Sequence, residues 1–319
     1  MTRQKQYKPI SIEMEKQLDH QHGLFLYAVV TVYNNWDQLA KCVDTLTNSD
    51  LVTVRLVVVN HYPADHSKEL IVPEPHSITI IQRDSNLWWV GAMNVGIQYA
   101  IDHGAEFLML LNSDTFITNR ESEKLLHACQ QKEHAIVAPK QVDLESGNVT
   151  FSYATDCYLL GFPIINASTW VQKLSAYNKR NEIRTQMIIG GRGVIIPVSI
   201  FKKVGLFDEK HLPHYGADND FYIRCRRAGI PLIVKMDCTI LVDSNTSSMA
   251  TRLGTMNFSR FVRSLTSRRS HRSYQSLVPL YRKYYPVPGM YLVGYSLNIA
   301  RYTMVYLFAR LGQILRRHQ

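Results

Sequence analysis

Hydrophobic positions along the chain alternate between two periods. From Phe25 onward, short runs such as FLYAVVT, VRLVVVN, SITIIQ and EFLMLLN alternate with longer segments of helical spacing, such as WDQLAKCVDTL and VGAMNVGIQYAIDHG. Strands and helices in this order are typical of a parallel sheet with helices on both faces. The run LVVVN is apolar at successive positions, as expected of a strand that is covered on both sides. The pattern therefore predicts a doubly wound, mostly parallel α/β fold.

In such a sheet, ligands bind beyond the carboxyl ends of the strands. The candidate binding residues are therefore those that follow the apolar runs, namely Thr31 to Asn35, Asn60 to Asp65, Arg83 to Asn86 and Asn112 to Thr115. Beyond about Glu121 the alternation loosens into mixed strand and loop. A helix is expected at DNDFYIRCRRAG, with Asp218 or Asn219 as its N-cap.

The charge of the chain is unevenly distributed. Of the 319 residues, 46% are hydrophobic and 19% are charged, and the formal net charge is +10. Residues 1–243 contain 24 basic and 26 acidic side chains, whereas residues 244–319 contain 12 basic and no acidic side chains. The composition fits a globular protein with a real core, and the positive charge belongs to the C-terminal quarter.

Cysteine usage and the N-terminal residues indicate the compartment. The five cysteines form no CxxC pair and are odd in number, which argues against a disulfide framework or a zinc ribbon. The first 23 residues are polar and charged and have no apolar secretory stretch. We therefore expect a protein of the cytoplasm.

Three segments carry candidate chemistry, and the first is LMLLNSDTF. Here a predicted buried strand ends by presenting Asn112 and Asp114 at the ligand edge. A carboxylate at this place can hold a divalent cation against a diphosphate. The alternative is that Asp114 only caps the following turn.

The second segment is DSNLWWVGAMNVGI, in which two tryptophans lead through Gly91 into a helix with Asn94. Small residues at a helix start let backbone N–H groups approach an anionic ligand. Trp88 and Trp89 would line a sugar pocket or, alternatively, pack in the core.

The third segment is GLFDEKHLPHYGADNDFYIR, which places Asp218 and Asp220 at a helix start. A carboxylate there is held ionised by the helix dipole and can accept a proton from a substrate hydroxyl. The alternative is that Asp218 caps the helix and Asp220 pairs with Arg224 one turn later.

Together these segments resemble an inverting family 2 glycosyltransferase of the GT-A fold. The resemblance extends from about Ala28 to Ser248 and depends on VVTVYNN, LVVVN with Asp65, NLWWVGAMNVGI, LLNSDT, and GLFDEK followed by GADNDFYIR, in the family's order. It implies a transferase that moves a sugar from a nucleotide-sugar donor to a saccharide acceptor.

The resemblance also implies roles for individual residues. The donor would contact the ends of the first strands, the tryptophan segment and the LNSDT turn, that is Thr31, Tyr33, Asn34, Asn60, Asp65, Trp88, Gly91, Asn94 and Asn112. Asp114, together with Asp243, would hold Mg²⁺ or Mn²⁺ on the donor diphosphate. Asp218 falls on the position of the family's catalytic base, with Asp220 as the backup base.

Three positions depart from the family pattern. Asn60-His61 stands where relatives commonly have Asp-Asn, so a carboxylate that reads the nucleotide base is missing. Asn112 replaces the first carboxylate of the family's DxD-like motif. Asp243 lies roughly where relatives supply a histidine to the metal, and a carboxylate is an acceptable ligand for a hard cation.

The sequence divides into three regions. Residues 1–24 form a polar extension, residues 25–250 the glycosyltransferase domain, and residues 251–319 a basic, Tyr-rich helical region. Within the domain, residues 25–120 are expected to bind the nucleotide sugar and residues 121–250 the acceptor.

The C-terminal region alternates arginine-rich and aromatic segments. Arg301 and Arg310 interrupt its last apolar stretch, so we do not expect it to span a bilayer. We expect helices that lie on the anionic inner face of the plasma membrane, with arginines reaching lipid phosphates. This suits a lipid-linked saccharide acceptor in the synthesis of a surface polysaccharide such as lipopolysaccharide. The alternative is that these helices pack on the domain or on a second subunit. No nucleic-acid module accompanies the charge.

Two other functions stay open at this stage. A nucleotidyltransferase would share the sheet and the metal, but VTVYNNWDQL lacks the phosphate loop that it needs. A catalytically inactive sugar-binding or scaffold protein would explain the carboxylates that are missing at Asn60 and Asn112. For an enzyme, dTDP-rhamnose or a UDP-sugar is the expected donor.

Overall fold

The computed structural model describes residues 25–62, 70–132, 134–150, 152–166, 181–243 and 256–317. The N-terminal extension 1–24 and Asp65 lie outside these residues. The elements of the first half, in chain order, are β1 (Phe25–Val32), α1 (Trp36–Leu46), β2 (Thr53–Asn60), β3 (Ser77–Gln82), α2 (Trp88–Asp102), β4 (Phe107–Asn112), β5 (Thr115–Phe116), α3 (Asn119–Gln131) and β6 (Ile136–Asp143).

The second half contains shorter strands and the C-terminal helices. Its elements are β7 (Tyr153–Cys157), β8 (Phe162–Asn166), β9 (Glu182–Thr185), β10 (Met187–Ile188), β11 (Val194–Pro197), α4 (Val198–Val204), α5 (Ala217–Arg227), β12 (Leu232–Val242), α6 (Phe258–Thr266), α7 (Tyr274–Tyr284) and α8 (Tyr291–Arg317).

The main sheet has the order β3-β2-β1-β4-β11-β6-β12-β5, and β9 also pairs with β12. The pairs β1–β2, β1–β4, β2–β3 and β6–β12 are parallel, whereas β11 runs antiparallel to both of its neighbours. A smaller sheet has the order β10-β7-β8. The predicted mostly parallel, doubly wound sheet is therefore confirmed.

The sheet is buried on both faces, as its strand sequences predict. In β1, Val29 faces a core that includes residues of α2 and α5, and the next residue, Val30, faces a core with residues of α1 and α3. Successive side chains of a strand point to opposite faces, so an uninterrupted apolar run fills both cores. Gly96 of α2 lies against Val29, where an added Cβ would meet a methyl carbon at 2.4 Å. This close approach fixes α2 on the sheet.

The C-terminal helices pack on the same body. Leu277, Leu280, Tyr281 and Tyr284 of α7 belong to the core on the α2 side of the sheet. Gly216, the residue before α5, has φ 88°, and an added Cβ would lie 2.8 Å from Leu280. Helix α7 therefore seats directly against the start of α5.

Candidate active site

The ends of β1 and β2 form one wall of the candidate site. Thr31 is buried, whereas the Tyr33 ring is 44% exposed and lies edge-on to Tyr62 at a centroid distance of 4.9 Å. Asn34 has φ 61°, a left-handed conformation that asparagine tolerates better than most residues. It lets the chain turn sharply from β1 into α1 and leaves Tyr33 at the strand end.

Asn60, at the end of β2, is used inside the protein. Its Nδ2 donates to Oε1 of Gln82 at 2.7 Å, and its Oδ1 accepts from the backbone N–H of Tyr62 at 3.0 Å. Gln82 in turn donates to the carbonyl of Tyr62. The side-chain amide of Asn60 therefore stabilises the end of β2. At the position where relatives commonly have an aspartate, this chain has an asparagine that bonds within the protein.

The tryptophan segment opens α2 and reaches β4. Trp88 has φ 52° at the helix start, and its ring lies 5.6 Å from that of His214. Trp89 donates from Nε1 to Oδ1 of Asn112 at 3.0 Å, so that Asn112 is oriented by the neighbouring segment. Gly91 lies in the first turn, where an added Cβ would be 3.5 Å from a carboxylate oxygen of Glu209.

Asn94 joins α2 to the segment that follows α4. Its side chain accepts from the N–H of Phe207 at 3.1 Å and donates to the Phe207 carbonyl at 2.9 Å. It also donates to Oε2 of Glu209 at 3.0 Å. Asn94 is buried, so its amide holds the GLFDEK segment on α2.

The two predicted metal ligands meet at an antiparallel pair. Strands β5 and β12 pair through Thr115 and Val242, and the N–H of Asp243 donates to the carbonyl of Asp114 at 3.0 Å. Gln38 of α1 donates to Oδ2 of Asp243 at 3.1 Å. The structure thus pairs, through the backbone, two aspartates that are more than 120 positions apart in the sequence.

Asp218 lies in the first turn of α5. Gly216 takes the N-cap position that the sequence analysis gave to Asp218 or Asn219, because its φ of 88° turns the chain into the helix. The carboxylate of Asp218 accepts from the N–H groups of Asn219 at 2.9 Å and Gly190 at 3.1 Å. Burial raises the pKa of Asp218, and these hydrogen bonds offset only part of that effect. A raised pKa suits a group that accepts a proton near neutral pH.

A short series of contacts connects Asp218 to the edge of β4. Gly190 binds the Asp218 carboxylate, and an added Cβ on the next residue, Gly191, would lie 3.5 Å from the Trp89 ring. Trp89 binds Asn112, which is two residues before Asp114. Asp218 and the Asn112–Asp114 turn are therefore attached to the same glycine loop and tryptophan.

Asp220, in the same turn of α5 as Asp218, has a different environment. Its side chain is fully buried and accepts from Arg224 at 2.9 Å, Lys283 at 2.9 Å and the hydroxyl of Tyr284 at 2.7 Å. The pairing with Arg224 that the sequence allows is therefore formed. With its oxygens held by these donors, Asp220 has no access to a substrate hydroxyl, which favours Asp218 as the proton acceptor.

A group of histidines and one arginine at this edge was missed by sequence reasoning. His61 and His214 each have a buried Nδ1 without a hydrogen-bond partner among the described residues. Burial, together with the smaller effects of the nearby charges of His61 and Arg269, lowers the pKa of His214 to about 4. The loop of Arg269 also places the His271 ring 6.1 Å from Tyr215. These residues come from three segments that are distant in the sequence, so no local spacing of residues could predict that they lie together.

The donor set fits a divalent cation that is shared with a ligand. Asp114 and Asp243 offer carboxylate oxygens, which hard cations prefer. Among the described residues, no group of three or more His, Cys, Asp or Glu side chains is arranged to hold a metal by itself. Two carboxylates leave coordination positions for phosphate oxygens, as expected of an ion that binds with its substrate.

Comparisons with known proteins identify the family of this chain. The family model of glycosyl transferase family 2 matches residues 27–205. The galactofuranosyltransferase GlfT1 of Mycobacterium tuberculosis H37Rv is 25% identical over 223 residues, which cover 68% of this chain and 69% of that protein. The dTDP-rhamnosyl transferase RfbF of Shigella flexneri is 22% identical over 207 residues, covering 64% of each protein.

Among solved structures, the chain is similar to GalNAc-T7 crystallised with UDP, GalNAc and Mn²⁺. The TM-score is 0.54 at 14% identity, and the likeness covers 69% of this chain and 43% of that one. At this identity the likeness concerns the fold, and it confirms the GT-A type that the sequence motifs implied.

Proposed function

The chain belongs to glycosyltransferase family 2, and on that premise we propose that it transfers a sugar from a nucleotide-sugar donor to a saccharide acceptor with inversion at the anomeric carbon. The observation that carries the proposal is the position of Asp218. A partly buried carboxylate with a raised pKa stands at a helix start, and a glycine loop connects it to the edge with Asn112 and Asp114.

In the proposed reaction, Asp218 accepts the proton of the acceptor hydroxyl while that oxygen attacks the anomeric carbon. The nucleoside diphosphate leaves from the opposite face of the sugar, so a single displacement inverts the configuration. The N–H groups of Gly190 and Asn219 fix the orientation of the Asp218 carboxylate throughout this step. Asp220 has no part in it, since Arg224, Lys283 and Tyr284 occupy its oxygens.

Asp114 and Asp243 would hold the divalent cation, Mg²⁺ or Mn²⁺, on the donor diphosphate. When bound, such an ion offsets the negative charge that develops on the leaving phosphate. Gln38 orients Asp243, and the backbone bond between Asp243 and Asp114 fixes the distance between the two residues. Tyr33, Thr31 and the tryptophan segment surround the space that we assign to the nucleotide sugar.

We propose dTDP-rhamnose or a UDP-sugar as the donor and a lipid-linked saccharide as the acceptor. RfbF is named as a dTDP-rhamnosyl transferase, which supports the first donor. The excess of basic residues after Asp243 supports a site of action at the inner face of an anionic plasma membrane. In the part of the chain that the structure describes, no helix is long and apolar enough to cross a membrane.

The catalytic proposal is tested with Asp218→Asn in the full chain. We expect nucleoside diphosphate release from a panel of nucleotide sugars to fall by about 10² to 10⁴, the usual worth of a general base. Donor binding measured by calorimetry should persist, because the amide keeps the shape of the carboxylate. NMR of the product should show inversion at the anomeric carbon.

Asp102→Asn is the matched control, since Asp102 ends α2 and, among the residues that the structure describes, its side chain bonds only to the exposed Gln98. Full activity of Asp218→Asn would show that the base is another group. If the wild-type protein binds the donor sugars but releases no diphosphate from any of them, a sugar-binding or scaffold role replaces the enzyme.

A further inference from the structure

Helix α8 carries a row of exposed apolar side chains, here called the α8 stripe. Its large members are between 43% and 71% exposed. The stripe consists of Val293, Leu297, Ala300, Met304, Leu307, Phe308 and Leu311. Successive members are separated by one, three or four residues, and the whole set recurs with the period of an α-helix, so they share one face. From Val293 to Leu311 this face is about 27 Å long.

The opposite face of α8 is fixed to the protein. Tyr306 stacks on Phe261 of α6 with ring centroids 4.4 Å apart, and Tyr302 packs against both the main core and this contact. Arg301 points inward, since its guanidinium lies 4.6 Å from the rings of both Phe162 and Tyr302. Near the start of the helix, an added Cβ on Gly294 would be 2.4 Å from Tyr285. These contacts fix the rotation of α8 about its own axis, and the stripe therefore faces away from the protein.

The C-terminal quarter of the sequence, which includes α8, carries charge of one sign. No Asp or Glu follows position 243 in the sequence, whereas 12 Lys and Arg do. Arg310 is exposed and lies three residues after Leu307, at the border of the stripe. Arg260 and Arg263 are exposed on α6, which packs on the opposite face of α8, so they add to the positive charge of this region but do not border the stripe. An apolar face with a cationic border matches the apolar interior and anionic headgroups of a lipid leaflet.

We propose that the α8 stripe docks on an anionic lipid bilayer, with α8 lying in the plane of the interface. This inference rests on the proposed function, in which the acceptor is lipid-linked, and it names the surface that meets the lipid. The stripe inserts among the acyl chains, and Arg310 reaches phosphate groups beside it. A bilayer is favoured over a second copy of the chain, because pairing two such faces would bring two basic regions together without any acidic partner from residues 244–319.

The test is flotation of the full chain with vesicles of phosphatidylcholine, with and without phosphatidylglycerol. We expect the wild-type protein to float with the anionic vesicles at low salt and less so at high salt, because salt screens the arginines. The double variant Leu307→Ser/Phe308→Ser should lose at least tenfold in vesicle partitioning. The matched control, Ile71→Ser/Leu144→Ser, removes two exposed apolar side chains elsewhere and should float like the wild type.

A depth probe gives a second readout that does not depend on loss of binding. An added tryptophan in Phe308→Trp should be quenched by brominated lipid, whereas one in Ile71→Trp should not. The proposal is overturned if the wild-type protein does not float at low salt, or if the stripe variant floats as well as the control. It is also overturned if sedimentation shows a dimer that the stripe variant converts to monomer while vesicles bind neither. None of these measurements uses turnover, so their failure is distinct from a failure of the Asp218 assignment.

Discussion

Two tyrosines of α7, three residues apart, should respond in opposite ways to removal of their hydroxyl groups. The hydroxyl of Tyr284 donates to Oδ1 of the fully buried Asp220 at 2.7 Å. The hydroxyl of Tyr281 is buried and has no hydrogen-bond partner among the described residues. Both rings contact Tyr158, and phenylalanine would keep those contacts. The substitutions Tyr284→Phe and Tyr281→Phe therefore isolate one hydroxyl each.

The expected difference follows from the charge of the acceptor. A hydrogen bond to a charged group contributes about 1.5 to 3 kcal/mol, and Asp220 would lose one while staying buried. Tyr284→Phe should therefore lower the free energy of unfolding by about that amount. Tyr281→Phe removes a buried group that forms no bond, so it should leave the free energy of unfolding unchanged or raise it slightly.

The assay is urea unfolding of the two variants and the wild type, followed by circular dichroism and by tryptophan fluorescence. Coincident transitions would justify a free energy from each curve. If the two variants differ by less than about 0.5 kcal/mol, well under the worth of a charged hydrogen bond, the Asp220 network does not hold α7 in place. A larger loss in Tyr281→Phe than in Tyr284→Phe would contradict the reasoning outright.

Three further outcomes are expected. Burial raises the pKa of Asp218, and the base must be ionised to accept a proton. The value of kcat/KM should therefore rise with pH, with a midpoint above the ordinary aspartate pKa of about 3.9. A pH–rate profile with its acidic midpoint at that ordinary value would count against Asp218. The charge of Arg269 acts on His214, whose ring lies 5.6 Å from that of Trp88, and we propose that Arg269 binds the donor diphosphate beside the tryptophan segment. Arg269→Ala should then weaken nucleoside diphosphate binding about tenfold by calorimetry, the worth of one charged hydrogen bond. Arg268→Ala, whose side chain already bonds Gln275, should not, and equal losses in the two variants would refute this role for Arg269. Chelation should stop diphosphate release, and Asp114→Asn should raise the half-maximal Mn²⁺ concentration about tenfold or more; an unchanged metal requirement would remove Asp114 from the site.

The sheet could be predicted from the sequence because most of its strands have a recognisable local pattern of hydrophobic residues. A strand with an uninterrupted apolar run such as LVVVN must be buried on both faces of its sheet. When such strands alternate with helices along the chain, the pattern predicts a parallel sheet. Strand β5 could not be predicted in this way, because a strand of two residues is too short to show a hydrophobic periodicity. Its pairing with β12 joins positions about 125 apart, and only the family resemblance placed Asp114 and Asp243 together.

The candidate site was less accessible to sequence reasoning than the fold. The local pair of Asp220 and Arg224 was foreseen from helical spacing, and it is formed. Lys283 and Tyr284, which lie 63 and 64 positions further on, gave no sign that they complete the same network. Such contacts depend on how α7 packs, and packing at that distance leaves no pattern in a single sequence.

The burial of Asp220 under α7 has a consequence for how the protein folds while it is being synthesised. A ribosome makes the strands of the main sheet and α5 well before it reaches Lys283, and during that interval a carboxylate destined for the interior stays in water. The segments up to α5 can collapse early, as N-terminal segments generally do, but Asp220 gains its partners Lys283 and Tyr284 only after α7 has emerged. A nascent chain that stalls before Tyr284 would therefore expose the surface next to Asp218 to chaperones and proteases.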